Sequence, residues 1–209
     1  MFANLTLLEI IFFIISLLIS MVIHEVMHGF TAKLLGDNTA SDLGRLTLNP
    51  LKHIDVLTTL LLPLILVVFG LPPIFAAKPV PFNPNNVKFH EYGAALVGLA
   101  GPLSNFVLAF IGAILLHLLA TSNINIVNFL VIFIEINVAL MVFNLIPFPP
   151  LDGSRLLYAL APEPVRNFME RIESMGFMVI LIFIFFVFQF IAPIIESIES
   201  GVFNFLIRI

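Results

Sequence analysis

The chain contains no cysteine, which excludes disulfides, thiol nucleophiles and thiolate metal sites, so any metal must be held by His, Asp or Glu. Charge is also scarce. Only 11% of the 209 residues are Asp, Glu, Lys or Arg, where an ordinary soluble domain carries about 25%. The net charge is −4 with no basic block, so nothing points to nucleic acid as a partner. No polar stretch is long enough to fold by itself. Apolar residues are abundant: 60% of the chain is hydrophobic, mean hydropathy is +1.13, and several runs exceed the roughly 18 residues of a membrane span. The composition predicts an all-α polytopic membrane protein with the lipid bilayer as its solvent, forming one integral-membrane domain over residues 1–209.

Apolar runs predict four full transmembrane helices, over 5–35, 92–120, 126–146 and 175–195. The first has no Lys or Arg before it and no small-residue cleavage site, so it is expected to be a permanent span and not a signal peptide. The run 56–70 carries Pro63 and is short for a crossing; a re-entrant hairpin is expected there. Residues 71–90 are rich in Pro and Asn, which predicts extended chain. Within it, 74–87 is expected to form a short extended/β segment whose edge could pair with an unwound substrate, although Pro79, Pro81 and Pro84 remove donors. Residues 164–173 read as a helix on the membrane surface. The amphipathic tail 196–209 has no assigned place.

With 56–70 re-entrant, Lys33, Arg45, Lys52, Lys78, Lys88, Arg155, Arg166 and Arg171 share one face. The positive-inside rule makes that face cytoplasmic and the N-terminus external. A prokaryotic cell membrane is the expected location, with the site opening toward the cytoplasm.

The first span carries "HEVMH" at His24 to His28. Residues four apart share a helix face, so both histidines can grip one zinc ion, and Glu25 beside the first ligand is placed to act as general base on an activated water. Ionisable groups inside a span are expensive and usually functional; the bland alternative is a histidine pair bonded to neighbouring helices. At 1.5 Å per residue, His24 lies roughly 13 Å along the helix from Lys33, within the bilayer. A catalytic zinc takes three protein ligands plus water, so a third must come from elsewhere. His53 and His90 lie in polar loops and His117 near the far end of its span. Asp152, after the broken helix in "NLIPFPPLDGSR", lies on the basic face; Asp-Gly there is equally a simple turn or a helix cap.

"HEVMH", "GPLSN" at 101–105 and "NLIPFPPLDG" together resemble the site-2 protease family of intramembrane zinc metalloproteases, over about residues 14–158. "GRLTLNPLKHID" and "AKPVPFNP" look like the small members that lack a PDZ domain. The resemblance implies that His24, His28 and Asp152 bind one Zn2+ per chain and that Glu25 is the catalytic base. It implies that Asn144 holds substrate or the oxyanion, with Asn105 a second polar position of that kind. The implied activity is hydrolysis of peptide bonds within or near transmembrane segments of a membrane-protein substrate. A non-catalytic zinc-binding transporter or sensor would use the same histidines without needing Glu25, and an inactive scaffold binding transmembrane helices would need neither. Asn137 shares a face with Asn144, either lining the site or bonding between helices. Glu135 is an intramembrane acid with no assigned partner.

Overall fold

A computed structural model describes residues 6–71, 73, 75–119 and 123–208. Ile74, the first residue of the expected extended segment, lies outside the described residues, as do residues 1–5, 72, 120–122 and 209. Four helices are long and apolar enough to cross a membrane: α1 (Leu7–Leu34), α4 (His90–Leu118), α5 (Ile124–Asn144) and a 30-residue run, Phe177–Leu206. That run comprises α8 (Phe177–Ile182), a π-helical turn (Phe183–Phe188) and α9 (Gln189–Leu206). Shorter helices are α2 (Thr39–Asp42), α3 (Leu62–Val68), α6 (Gly153–Leu160) and α7 (Glu163–Glu173). The chain is a helical membrane protein. Its tail, unassigned in the sequence, continues the last long helix as far as Leu206.

Each boundary has a local cause. Thr6 and Glu9 form a capping box at the start of α1, Thr6 Oγ1 accepting from Glu9 N and Glu9 Oε2 accepting from Thr6 N. Gly36, at φ +109°, ends that helix in a conformation other residues rarely adopt. Asp37 follows, fully enclosed, and its carboxylate accepts four hydrogen bonds: from Thr39 N and Oγ1, Asn83 N and Asn86 Nδ2. Burial works against the charged form, but these donors outweigh it and hold the carboxyl below its ordinary range.

A π-helical turn (Val56–Leu61) leads into α3, and the joint helix is capped by Asp55 and closed by Gly70 at φ +74°. Its 13 residues rise roughly 20 Å, short of the ~30 Å hydrocarbon core. The chain then returns to where it began: Lys78 N donates to His53 O over 2.7 Å, and Ala76 N to Thr58 O over 3.3 Å.

The expected β character is not there: among the described residues there is no strand. The N–H groups of Ala76, Lys78, Val80 and Asn83 point to Thr58 O, His53 O, Glu25 Oε2 and Asp37 Oδ2, on separate segments and half of them side chains. The intervening positions 79 and 81 are prolines with nothing to donate. The stretch is an extended strap tied down on one edge and not a ladder.

Packing centres on α4, which packs on both α1 and α5, themselves in direct contact with each other. Ala109 and Ala113 of α4, Ile134, Val138 and Val142 of α5, and Ile195 and Leu206 of α9 form one buried cluster. Leu62 and Leu66 of α3 pack on Phe183 and Ile184 in a second. On α1, Ile10, Ile11, Ile14, Ile15, Leu18 and Ile19 face outward, as lipid-facing positions do. The amphipathic α7 is held to the start of α4 by Arg166 Nη1 and Glu91 Oε1 at 3.0 Å.

Candidate metal centre

Helical periodicity places His24 and His28 one turn apart on the buried face of α1, with their Nε2 atoms 3.1 Å apart and the rings edge to face. Both Nδ1 atoms have partners. His28 Nδ1 lies 2.7 Å from Val97 O, and His24 Nδ1 lies 2.6 Å from Asn105 Oδ1. Each partner oxygen only accepts, so each Nδ1 carries the proton and donates it. In the neutral rings, both Nε2 atoms are therefore bare lone pairs.

The third member arrives from the other end of the chain. Asp152 Oδ2 lies 3.0 Å from His24 Nε2 and 3.2 Å from His28 Nε2. Three acceptor atoms thus form a triangle with edges of 3.0 to 3.2 Å. A proton on one ring would serve a single edge and leave lone pairs opposed on the others, whereas a cation at the centre serves all three. Tetrahedral zinc with bonds of about 2.0–2.1 Å sets ligand–ligand edges near 3.3 Å, and this N, N, O donor set is one that zinc accepts. The residues fit a metal ion, and His24, His28 and Asp152 are the group among the described residues that could hold one.

The backbone of Asp152 does lie in a turn, Ser154 N donating to Leu151 O over 3.0 Å. It occupies the cap position of α6, yet its side chain makes no capping hydrogen bond. It turns to the histidines instead. Pro147, Pro149 and Pro150 break the chain after α5 and free the backbone to make that turn. Glycines set the approach. A Cβ on Gly153 would lie 2.3 Å from Leu145 O, and one on Gly101 would lie 2.4 Å from His28 Nε2 and 2.6 Å from His24 Nε2. Gly101 in α4 is therefore the floor of the site.

Glu25 is half-buried, and its Oε2 accepts from Val80 N over 2.8 Å. The strap thus pins one carboxylate oxygen of Glu25. Asn105 is fully buried behind His24. Its Nδ2 donates to Asn137 Oδ1 at 3.0 Å and reaches Ser20 O at 3.4 Å, so both amide hydrogens are engaged. That placement does not suit contact with substrate. Asn144 ends α5, its Nδ2 donating to Leu140 O one turn back. Asn137 faces the interior with Asn105, not an open site.

The remaining histidines stand apart from this group. His53 is buried, with Nε2 2.8 Å from Thr47 O, and serves the strap, in contrast to the solvent exposure usual for a loop histidine. His90 is exposed at the start of α4, and His117 bonds Ala113 O near its end. The Val97 carbonyl and the Val80 N–H were invisible in the sequence, because a backbone group carries no residue signature.

Known proteins resemble the chain over much of its length. The family model described as Peptidase family M50 matches residues 117–188, which include Asn144 and Asp152. A Bacillus subtilis (strain 168) protein named "Putative zinc metalloprotease YwhC" is 40% identical over 179 residues, 82% of this chain and 78% of that one. "Putative zinc metalloprotease Rip2" of Mycolicibacterium smegmatis is 32% identical over 176 residues, 79% of this chain and 63% of its own length. Its Mycobacterium tuberculosis (strain H37Rv) namesake is 29% identical over 189 residues, 88% and 68% of the two chains. No solved structure gives a significant match.

Proposed function

The chain belongs to peptidase family M50, the site-2 protease family, and from that premise we propose that it is an intramembrane zinc endopeptidase that cuts transmembrane segments of other membrane proteins. One observation carries the reading: three proton-free acceptors, His24 Nε2, His28 Nε2 and Asp152 Oδ2, converge inside a helix bundle of membrane-spanning composition.

Zinc held there would supply Lewis-acid polarisation of a peptide carbonyl and bring a water's pKa down toward 7. Glu25 Oε1 takes the proton of the attacking water and passes it to the departing amine. Val80 N–H keeps the other oxygen of Glu25 still during both transfers. Asn144, closing α5 just before the bend that carries Asp152, is the candidate to donate to the substrate carbonyl by turning its amide away from Leu140 O. His24 and His28 need no reorientation, since their Nδ1 hydrogen bonds already aim them.

The hydrogen bond between Lys78 and His53 supports a re-entrant arm at 56–70, with Lys33, Arg45, Lys52, Lys78 and Lys88 on one face. By the positive-inside rule that face is cytoplasmic, in a cell membrane, and the site opens to it. The whole chain acts as a single domain, with a membrane protein as its partner and no nucleic acid.

Reconstituting the purified chain in lipid vesicles with zinc and a single-span substrate tests the reading. Cleavage is expected in wild type and about 10²–10⁴-fold slower in Glu25→Gln. Equal cleavage by both removes the proposed base. Zinc binding without cleavage of any single-span substrate favours a transporter or sensor, and neither binding nor cleavage favours a scaffold.

A further inference from the structure

We infer that Asn105 and Asn137 are positioning residues of the metal centre: a one-way hydrogen-bond relay, anchored at the Phe133 carbonyl, fixes the tautomer and aim of His24. The inference rests on the metal reading above and extends it across three helices.

The direction of the relay follows from its anchors. Phe133 O can only accept, so Asn137 Nδ2 donates to it, at 2.8 Å. That turns Asn137 Oδ1 toward α4, where Asn105 Nδ2 donates to it at 3.0 Å. Ser20 O, another acceptor, lies 3.4 Å from the same nitrogen and holds it in the same sense. Asn105 Oδ1 is then left facing His24 Nδ1 at 2.6 Å, and the only arrangement that satisfies this contact puts the proton on Nδ1. His24 Nε2 is bare as a consequence, which is the state a metal needs.

Both asparagines are completely enclosed. An amide in so apolar a setting is costly unless every group is paired, and here each amide pairs through both its nitrogen and its oxygen. Asn105 has no hydrogen left for an oxyanion, so it works through His24 and not on the substrate. His28 is aimed by a backbone carbonyl, Val97 O, which no side-chain substitution removes. His24 alone depends on side chains for its orientation.

The test is metal affinity of the full-length protein in detergent, measured by competition of zinc with a chromogenic chelator, together with the visible spectrum of the cobalt(II)-loaded form. Asn105→Leu is expected to weaken binding about 10–100-fold and to alter the cobalt spectrum. Asn137→Leu, acting through Asn105, is expected to weaken it less. Asn105→Asp keeps the shape and the acceptor for His24 Nδ1 but sets an oxygen against Asn137 Oδ1; it is expected to lower thermal stability while retaining wild-type affinity. That split would not arise from a packing role, in which affinity follows stability.

Should Asn105→Leu fail to fold, the Asn105→Asp and Asn137→Leu results still decide. Affinity that falls in Asn105→Asp as far as its stability does, or stays at the wild-type value in Asn137→Leu with an unchanged spectrum, overturns the relay. If wild type itself binds neither zinc nor cobalt, the metal reading fails and the relay with it.

Discussion

Val80 donates its backbone N–H to Glu25 Oε2 over 2.8 Å, joining an extended strap to the residue proposed as the base. The contact depends on a donor flanked by two residues that have none, Pro79 and Pro81. It also depends on Gly29, one helical turn beyond Glu25, where a Cβ would lie 2.7 Å from Val80 Cγ1. The strap therefore sits against α1 closely enough to hold a side chain.

Removing that donor by Val80→Pro should slow cleavage on the order of tenfold, the scale of one hydrogen bond to a charged group. Zinc content should not change, because the hydrogen bond that is lost goes to Glu25 and not to His24, His28 or Asp152. Glu25→Gln should cost about 10²–10⁴-fold in rate, again with zinc retained. Measuring rate and metal on the same samples separates a base and its support from a ligand. A Val80→Pro protein that lost its zinc would show that the strap supports the metal and not the base.

Gly101→Ala should empty the site. Its Cβ would arrive 2.4 Å from His28 Nε2 and 2.6 Å from His24 Nε2, inside any real contact distance. Zinc per chain should fall well below one by elemental analysis. Gly201→Ala is the matched control, since nothing lies within 4 Å of a Cβ there, and it should retain full zinc. Equal zinc in the two variants would mean that α4 can back away from the histidines.

How much of this could be read in advance follows from how local each cause is. His24, Glu25 and His28 were placed correctly on one helix because their relation is set by 3.6 residues per turn. The pairing with Asp152 joins distant parts of the chain, and "PFPPLDG" alone left a ligand, a turn and a cap equally open. The strap misled because a Pro- and Asn-rich run reads as extended chain with an edge to pair, while two of its four partners, Glu25 and Asp37, are side chains no periodicity can reveal. The amphipathic tail 196–209 had no assigned place, because its polar residues interrupt the apolar run, yet a 30-residue helix that begins at Phe177 rises roughly 45 Å. That length carries those residues past the ~30 Å hydrocarbon core.

Zinc should raise the melting temperature in proportion to its binding. A ligand at 100 times its dissociation constant adds about 2.7 kcal/mol to the folded state. Chelation of wild type should therefore lower the transition, and added zinc should restore it together with activity. Asp152→Ala removes one of three ligands and should melt at the same temperature with or without zinc. A zinc-dependent shift that survives in that variant would place the stabilising ion somewhere else.

Acid should loosen the strap through Asp37. Its folded-state carboxyl lies below the ordinary 3.8, held there against burial by donors from Thr39, Asn83 and Asn86. A depressed carboxyl contributes stability that is fully present above its unfolded value and is lost as pH falls through the folded one. Melting temperature should thus decline as pH falls below about 4, where the unfolded carboxyl takes up its proton, and continue until the folded carboxyl that holds Asn83 N and Asn86 Nδ2 is protonated as well. Asp37→Asn sets an amide against some of these donors and should cost about 1–3 kcal/mol at neutral pH. It should also flatten the acid decline, because the titrating group is gone. If Asp37→Asn melts lower at neutral pH but keeps the full acid decline, another carboxylate governs it, and Asp55, similarly depressed by its hydrogen bonds to Thr58 and Leu57 at the start of the helix over 56–68, is the next to replace.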